Sequence, residues 1–264
     1  MRQVRVECKR MLTAITRAVS PSMDKCELSF IARQAIDIAR AKEQHAAYEV
    51  CLWELGVRVI SLPSEAEYPD AVFVEDPAIV LDEIAVMTRP GAESRRGEAA
   101  SLARVLEGYR ELRWMREPAT LDGGDVMLAE RTLYVGNSGR TSAAGIGQLA
   151  AEVAEFGYDV RAMAVQGCLH LKSACSYLGD GMVLAYRPWV QAEFEGLKVI
   201  EAPDAEAVNV LRVGDTVLVA AGFPRTVETI SRLGLRVRAL DNSELRKAEG
   251  ALTCCSLLFK ATTD

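Results

Sequence analysis

Short apolar segments alternate with turns and amphipathic stretches along the chain, and the same order of elements recurs. Alternating apolar and polar residues predict strands, and apolar residues spaced three and four apart predict a helix. On these criteria the first complete unit contains AVFVED (71–76), a turn at Pro77, AIVLDEIAVMTR (78–89), a helix over 94–108 and LRWM (112–115). The predicted repeating unit is therefore strand, turn, strand, helix, strand.

Three further copies of this unit follow along the chain. The second contains GGDVMLA (123–129), ERTLYVG (130–136), a helix over 142–156 ended by Gly157, and YDVRAMAV (158–165). The third contains HLKSACSYL (170–178), a turn at 179–181, MVLAYR (182–187), a short helix over 190–195 and LKVIEA (197–202). The fourth contains AVNVLRV (207–213), a turn at Gly214, TVLVAAG (216–222), a helix from Pro224 to about Gly234, and LRVRALD (235–241).

The two ends of the chain supply the fifth unit. LTCCSLLF (252–259) is its predicted first strand, and VRVECKR (4–10), an amphipathic helix over 30–55 and GVRVISL (56–62) are the rest. Since no linker rich in proline, glycine or serine separates the copies, residues 1–264 are predicted to form one α/β domain whose fifth blade is closed by the N- and C-terminal segments.

If the five units surround a common centre, the polar residues of their first strands meet there. These residues are Glu75 and Asp76, Asp122 and Asp125, His170, Asn209, and Cys254. Polar residues are common at strand ends, but a histidine and a cysteine pair at these places indicate chemistry at the centre.

Composition narrows the class of partner. The chain has 264 residues, with 37 acidic and 31 basic side chains and a formal net charge of −6. Because no basic stripe is present, nucleic acid is not an expected partner. Small cations suit the net negative charge better as ligands. No apolar run is long enough to span a bilayer, so the protein is predicted to be cytoplasmic and not to associate with a membrane. The seven cysteines are an odd number in a chain too long to need disulfides, so a reactive or metal-binding cysteine is favoured over a disulfide framework.

Only two histidines are available as a general acid or base near neutral pH. His45, inside the predicted long helix, is interpreted as a structural residue at the surface or boundary. His170 follows Gly167 at the start of an apolar strand, where a rigid element could aim it into a cleft. Cys254 and Cys255 point to opposite sides of a strand, so only one of them can be the nucleophile, and it attacks as a thiolate.

Two acidic segments complete the candidate site. Asp122 and Asp125 flank a double glycine; a plain turn is the alternative to a carboxylate that orients a catalytic histidine. Asp70, Glu75 and Asp76 lie within seven residues, and buried acids need a cation. A planar guanidinium suits them because it can donate two parallel hydrogen bonds to each carboxylate. The glycine-rich segment 135–149 fits neither phosphate-binding pattern, and no zinc-ligand spacing is present, so neither a cofactor nor a metal is expected.

These blocks together resemble the dimethylarginine dimethylaminohydrolases of the guanidino-group-modifying superfamily. The resemblance covers nearly the whole chain and is carried, in order, by PDAVFVEDPAIV (69–80), TRPGAESRR (88–96), LDGGDVM (121–127), VGNSGRTS (135–142), LHLKSACS (169–176) and LTCCS (252–256). It implies a five-bladed pseudo-symmetric α/β propeller of ββαβ repeats with the active site on the central axis.

The resemblance also implies a role for each site residue. Cys254 would be the nucleophile, His170 the general acid and base, and Asp122 the carboxylate that orients the histidine. The implied substrate contacts are Glu75 and Asp76 to the guanidinium, Asp70 to the α-amino group, Arg95 and Arg140 to the α-carboxylate, and Leu28 on a flap with the Ala248 backbone closing the site.

The implied reaction is hydrolysis of Nω-methylated L-arginine to L-citrulline and methylamine or dimethylamine through a covalent cysteine thiouronium. An arginine deiminase, or a hydrolase of another guanidino compound, is the alternative. Arginine deiminases usually carry an acid two residues after the histidine, where this chain has Lys172, which favours methylated substrates. A non-catalytic guanidine-binding protein with the same fold is a third possibility, and either a monomer or a homodimer is compatible with the sequence.

Overall fold

The computed structural model describes residues 10–262 of the chain. These residues form fifteen strands, β1 to β15, and five α-helices, α1 to α5. The strands, in chain order, are Arg10–Arg17, Arg58–Leu62, Ala78–Val80, Ile84–Met87, Glu111–Trp114, Val126–Ala129, Thr132–Asn137, Asp159–Ala164, Cys175–Gly179, Met182–Ala185, Lys198–Glu201, Leu211–Val213, Thr216–Ala220, Arg236–Leu240 and Leu257–Thr262. The helices are Ile38–Glu54, Ala99–Leu106, Ala143–Val153, Pro224–Ser231 and Ser243–Arg246.

The strands form five three-stranded sheets, which are the blades of the predicted α/β propeller. Their orders are β3-β4-β5, β6-β7-β8, β11-β10-β9, β12-β13-β14 and β15-β1-β2. Each blade has one antiparallel and one parallel pair, as in β6 with β7 and β7 with β8. A parallel pair needs a crossover connection, which explains why a helix precedes the last strand in most blades.

Both ends of the chain contribute to the fifth blade, as predicted. β15 pairs antiparallel with β1, and β1 pairs parallel with β2, so that Ile15 lies opposite both Leu257 and Ile60. The N-terminal strand is Arg10–Arg17, which is later than the predicted 4–10. Residues 4–9 of that prediction lie outside the described part of the chain.

Local chemistry sets the helix boundaries. The prediction of a helix over 30–55 was wrong at its start: α1 begins at Ile38, because the Asp37 side chain accepts the Arg40 N–H at 3.0 Å as an N-cap. Ser142 caps α3 in the same way through the Gly145 N–H at 3.1 Å, and Pro224 occupies the first turn of α4.

Two other helix predictions need correction. The helix predicted over 94–108 is shorter, because Glu93–Arg95 forms a separate 3-10 turn and α2 covers only Ala99–Leu106. Residues 190–195 form no helix; the third blade crosses from β10 to β11 through irregular backbone. This segment has only six residues and follows Pro188 by two positions. Helix nucleation is unfavourable in so short a segment unless tertiary packing stabilises the helix.

All five predicted first strands are also shorter than expected, and each loses its polar portion. In the second blade, Gly123–Asp125 is a 3-10 turn before β6. Residues 71–77 form consecutive turns before β3. Leu171–Ser173 and Thr253–Cys255 are 3-10 turns before β9 and β15, and β12 begins two residues after Asn209. The central polar residues therefore lie on turns that precede the strands, where side chains are not restricted to two opposite faces.

His45 is buried, at 3% relative exposure, and the prediction of a surface or boundary position was wrong. Its Nδ1 lies 3.8 Å from Glu49 and its Nε2 has no hydrogen-bond partner in the described structure. Burial lowers the pKa of His45, and the nearby Glu49 carboxylate only partly opposes this effect.

We expect His45→Leu to make the protein less sensitive to acid. The folded-state pKa of His45 lies below its unfolded value of about 6.5, so the unfolded chain binds more protons as pH falls and stability is lost below that pH. Leucine removes this titration and the unpaired nitrogen. Urea unfolding of both proteins at pH 7.5 and 5.5 should show a smaller loss of unfolding free energy in the variant; an equal or larger loss would contradict the assignment.

Candidate active site

A narrow cavity of about 20 Å³ lies where the turns of several blades meet. Cys254, His170 and Asp76 line it, each from a different blade, together with Asp70, Phe73, Arg95, Arg140, Ala248, Glu27, Leu169, Glu249 and Gly250. Most of the predicted site residues thus come together here although they are far apart in sequence.

Asp122 and His170 form the central hydrogen bond of this site. His170 Nε2 lies 3.0 Å from Asp122 Oδ2, and both side chains are buried. The other carboxylate oxygen of Asp122 accepts the Gly91 N–H at 2.8 Å. With Nε2 engaged, Nδ1 is the free ring nitrogen, and it lies 4.0 Å from Asp76 Oδ1.

The double glycine before β6 allows this close approach. A Cβ atom at Gly124 would lie 2.5 Å from His170 Nδ1 and 2.8 Å from Asp76 Oδ1. At Gly123 it would lie 2.0 Å from the Glu75 carbonyl oxygen. Residues with side chains cannot be accommodated at either position without moving the catalytic groups, so the segment is more than a turn.

Asp125, the second acid of that segment, lies outside the cavity lining and holds two loops together. Its Oδ2 accepts hydroxyl hydrogen bonds from Ser138 and Thr141 at 2.6 and 2.7 Å, and its Oδ1 accepts the Leu171 N–H at 2.8 Å. The loop that carries Arg140 is thereby joined to the turn that begins at His170.

The charges around His170 favour its protonated form. Burial alone would lower the pKa of His170, but Asp76, Asp125 and the hydrogen bond with Asp122 raise it to about 9. Near neutral pH the ring is therefore an imidazolium that can donate a proton from Nδ1.

Cys254 and Cys255 occupy different environments in their shared 3-10 turn. Cys254 is half-buried and lines the cavity, whereas Cys255 is buried in the core and its thiol donates to the Ala251 carbonyl at 3.4 Å. Burial, followed by the Glu75 and Asp76 carboxylates, raises the pKa of the Cys254 thiol well above its usual range. A thiolate at this position therefore needs a cation beside it.

Arg95 supports Asp76 in the buried wall. Its Nη1 donates to Asp76 Oδ2 at 2.5 Å, and Nε and Nη2 donate to the two Glu98 oxygens at 3.0 and 2.8 Å. Burial raises the pKa of Asp76, but Arg95 and then His170 lower it to a final value of about 2. Glu98, which the sequence analysis missed, could have been found from its place three residues after Arg95, since side chains at that spacing meet in a helical turn.

Glu75 does not line this cavity. Its carboxylate forms an ion pair with Lys172 and accepts the Thr253 hydroxyl at 2.8 Å, and it lines a separate cavity of about 640 Å³. Asn209, whose amide donates to the Thr253 hydroxyl at 3.0 Å, lies near the same axis, as the repeat alignment predicts.

Of the remaining predicted residues, Asp70, Arg140 and Ala248 line the cavity and Leu28 does not. Asp70 is buried and accepts the Glu27 N–H at 3.0 Å, while Arg140 lies 3.6 Å from Asp122 and donates to the Ser29 hydroxyl at 3.2 Å. Leu28 packs, half-buried, against the core cluster that includes Ala248.

Asp76, Asp122 and His170 are the one group in residues 10–262 that could offer three ligand atoms to a metal ion. Metals bind the neutral imidazole, whereas the pKa of His170 is raised to about 9 by its acidic neighbours. Arg95 already neutralises Asp76. The arrangement therefore favours a protonated acid–base pair over a metal centre.

No helix within residues 10–262 has the length and apolar character that crossing a membrane requires.

Comparison with known proteins gives a consistent result. Residues 16–215 match the family model described as "N,N dimethylarginine dimethylhydrolase, eukaryotic". The chain is 39% identical over 228 residues to the N(G),N(G)-dimethylarginine dimethylaminohydrolase of Pseudomonas aeruginosa, covering 84% of this chain and 90% of the relative. It is 36% identical over 253 residues to the Streptomyces coelicolor enzyme of the same name, covering 95% and 98%.

Solved structures agree in fold. A cysteine-to-serine mutant of the P. aeruginosa enzyme, complexed with citrulline, superposes with a TM-score of 0.89 at 36% identity, covering 94% of this chain and 100% of that one. A histidine-to-glycine variant of a dimethylarginine dimethylaminohydrolase, as an adduct with S-methyl-L-thiocitrulline, also gives 0.89 at 35% identity, covering 94% and 99%.

Proposed function

The chain belongs to the dimethylarginine dimethylaminohydrolase family, and on that premise we propose how its own residues hydrolyse Nω-methylated L-arginine to L-citrulline. It is a hydrolase of guanidino C–N bonds, so the alternative of a non-catalytic binding protein is set aside. One observation carries the assignment of roles: Cys254, His170 and Asp76 line the same narrow cavity, and Asp122 is hydrogen bonded to His170.

Asp76 is the proposed partner of the substrate guanidinium. Its pKa of about 2 keeps it ionised, and it lies in the cavity wall close to His170. The bound cation would offset the carboxylates that raise the pKa of Cys254, so binding itself favours the thiolate. Asp70 is the proposed partner of the α-amino group, and Arg140 and Arg95 are the proposed partners of the α-carboxylate.

The Cys254 thiolate then adds to the central guanidinium carbon. Collapse of the tetrahedral adduct breaks the C–N bond to the alkylated nitrogen, and His170 donates the proton with which methylamine or dimethylamine leaves. The product of this step is a thiouronium on Cys254. His170, now neutral, accepts a proton from water as the oxygen attacks the same carbon, and breaking the C–S bond releases citrulline and the thiolate. Asp122 holds the imidazole orientation throughout.

The position of Glu75 supports a methylated substrate. Lys172 engages this carboxylate outside the catalytic cavity, so Asp76 is the acid left beside His170 to hold the guanidinium. Glu75 therefore does not supply the second acid that would bind both unsubstituted nitrogens of arginine.

Citrulline formation from asymmetric dimethylarginine, monomethylarginine and arginine, assayed in parallel, tests the proposal. We expect turnover of the two methylated substrates and little of arginine. Turnover of arginine alone would make the protein a deiminase, and turnover of none would refute the proposed substrate class.

We also propose that residues 1–264 form a single domain, because both chain ends contribute strands to one blade. A cytoplasmic location is proposed from the thiols: the six cysteines among residues 10–262 are all free, which fits a reducing compartment.

A further inference from the structure

Residues 27–36 contain no helix or strand and reach the catalytic cavity through Glu27; we call them the covering segment. Phe30, Ile31 and Gln34 line an adjoining cavity of about 420 Å³. Glu27 lines the cavity and donates its N–H to Asp70, and the Ser29 hydroxyl accepts from Arg140 at 3.2 Å. The cavity of about 20 Å³ holds little more than a water molecule, so entry of an arginine-sized substrate requires its lining, to which Glu27 belongs, to open.

One side chain fixes the middle of this segment. Glu249 Oε2 accepts the Ser29 N–H at 2.9 Å, and its Oε1 accepts the Phe30 and Ile31 N–H groups at 2.5 and 2.9 Å. Three consecutive amides that converge on an anion form a nest, and hydrogen bonds to a carboxylate are stronger than those to neutral acceptors. Glu249 is therefore the main anchor of the covering segment among the described contacts.

The backbone of Glu249 is strained. Its φ of +57° lies in the left-handed region, which glycine adopts readily and other residues rarely adopt. Strain of this kind persists where the surrounding structure or the function compensates for it. Glu249 also lies between Ala248 and Gly250, which both line the cavity, so its backbone is fixed beside the site.

We propose that Glu249 is a positioning residue for substrate binding: it holds the covering segment closed and, through Ser29, holds Arg140 in place for the substrate carboxylate. The catalytic consequence rests on the function proposed above. Since Arg140 would contact the carboxylate and not the reacting carbon, loss of the anchor should weaken substrate and transition-state binding equally. KM should then rise while kcat changes little.

The decisive variant is Glu249→Gly, because glycine relieves the strain while removing the anchor. We expect its KM for asymmetric dimethylarginine to rise about tenfold and its kcat to change less than about threefold. Relief of the backbone strain offsets part of the stability lost with the three hydrogen bonds, so the variant should stay folded. Glu249→Gln keeps one acceptor oxygen and should give a smaller rise in KM. Glu206→Gln is the matched control for Glu249→Gln. Glu206 is exposed and lines an adjoining cavity, and the substitution removes one negative charge as Glu249→Gln does.

Hydrogen exchange of the free protein tests the anchor independently of activity. The amides of residues 29–31 should exchange at least about tenfold faster in Glu249→Gly and not in Glu206→Gln. Unchanged exchange at these amides, or faster exchange with an unchanged KM, would overturn the proposal. An inactive wild-type protein would refute the proposed function, and the exchange result would still decide whether Glu249 anchors the segment.

Discussion

Replacing Cys254 by serine is expected to lower citrulline formation from asymmetric dimethylarginine by roughly 10³-fold or more. The substrate cation can generate the Cys254 thiolate, but it cannot ionise a serine hydroxyl, which is a much weaker acid. The first covalent step is therefore lost. Initial rates at saturating substrate measure the effect. Binding should persist, because Asp76, Asp70 and Arg140 are unchanged, and calorimetric titration with asymmetric dimethylarginine can show this.

The adjacent thiol is the matched control. Cys255 is buried and donates to the Ala251 carbonyl, a bond that serine can also make. Cys255→Ser should therefore retain turnover within a few-fold of the wild type while losing some stability. Loss of turnover in this variant, with activity retained in Cys254→Ser, would reverse the assignment within the pair.

The charges of the resting site explain why substrate binding and nucleophile formation are coupled. Asp76 is ionised with a pKa of about 2, and the His170 pKa of about 9 leaves the imidazole charged near neutral pH. The Cys254 thiol stays protonated because burial, and then the Glu75 and Asp76 carboxylates, raise its pKa. A guanidinium adds the missing positive charge, so the reactive thiolate forms where its substrate is already bound.

The repeating pattern of the sequence predicted five units, and the family resemblance implied their arrangement as a propeller. Five units with turn signals at regular intervals specify five blades, and the split of the fifth unit between the chain ends is confirmed by β15-β1-β2. The meeting of Asp76, His170 and Cys254 followed from the same reasoning, because equivalent positions in radially arranged units must face one axis. Those residues line one cavity.

Other features depend on contacts that periodicity does not encode. The turns that replace the first part of several strands are set by side-chain bonds across blades, as where Asn209 Oδ1 accepts the Thr253 N–H at 3.1 Å. The sequence placed Glu75 with Asp76 because the two are adjacent. In the structure, Glu75 forms an ion pair with Lys172 and lines a separate cavity. Glu249 was missed because its partners, residues 29–31, are more than 200 positions away in sequence.

His170→Gln is expected to reduce turnover of asymmetric dimethylarginine by roughly 10²- to 10⁴-fold, the usual contribution of a positioned acid and base. Dimethylamine is a poor leaving group unless it is protonated, and the imidazolium is the acid beside Cys254. For the same reason wild-type turnover should fall as pH rises through about 9, where His170 loses its proton. His45→Leu, which changes the other histidine, should leave turnover unchanged.

S-methyl-L-thiocitrulline separates the two tasks of His170, because its methylthio group departs with little need for a proton. In His170→Gln the Cys254 adduct should still form from this compound and then accumulate, since no base remains to activate water. Intact-protein mass spectrometry detects the adduct, and it should be absent from the Cys254→Ser variant. Rapid release of citrulline by His170→Gln would show that another group activates water, and failure to form the adduct would mean that His170 is needed already for thiolate attack.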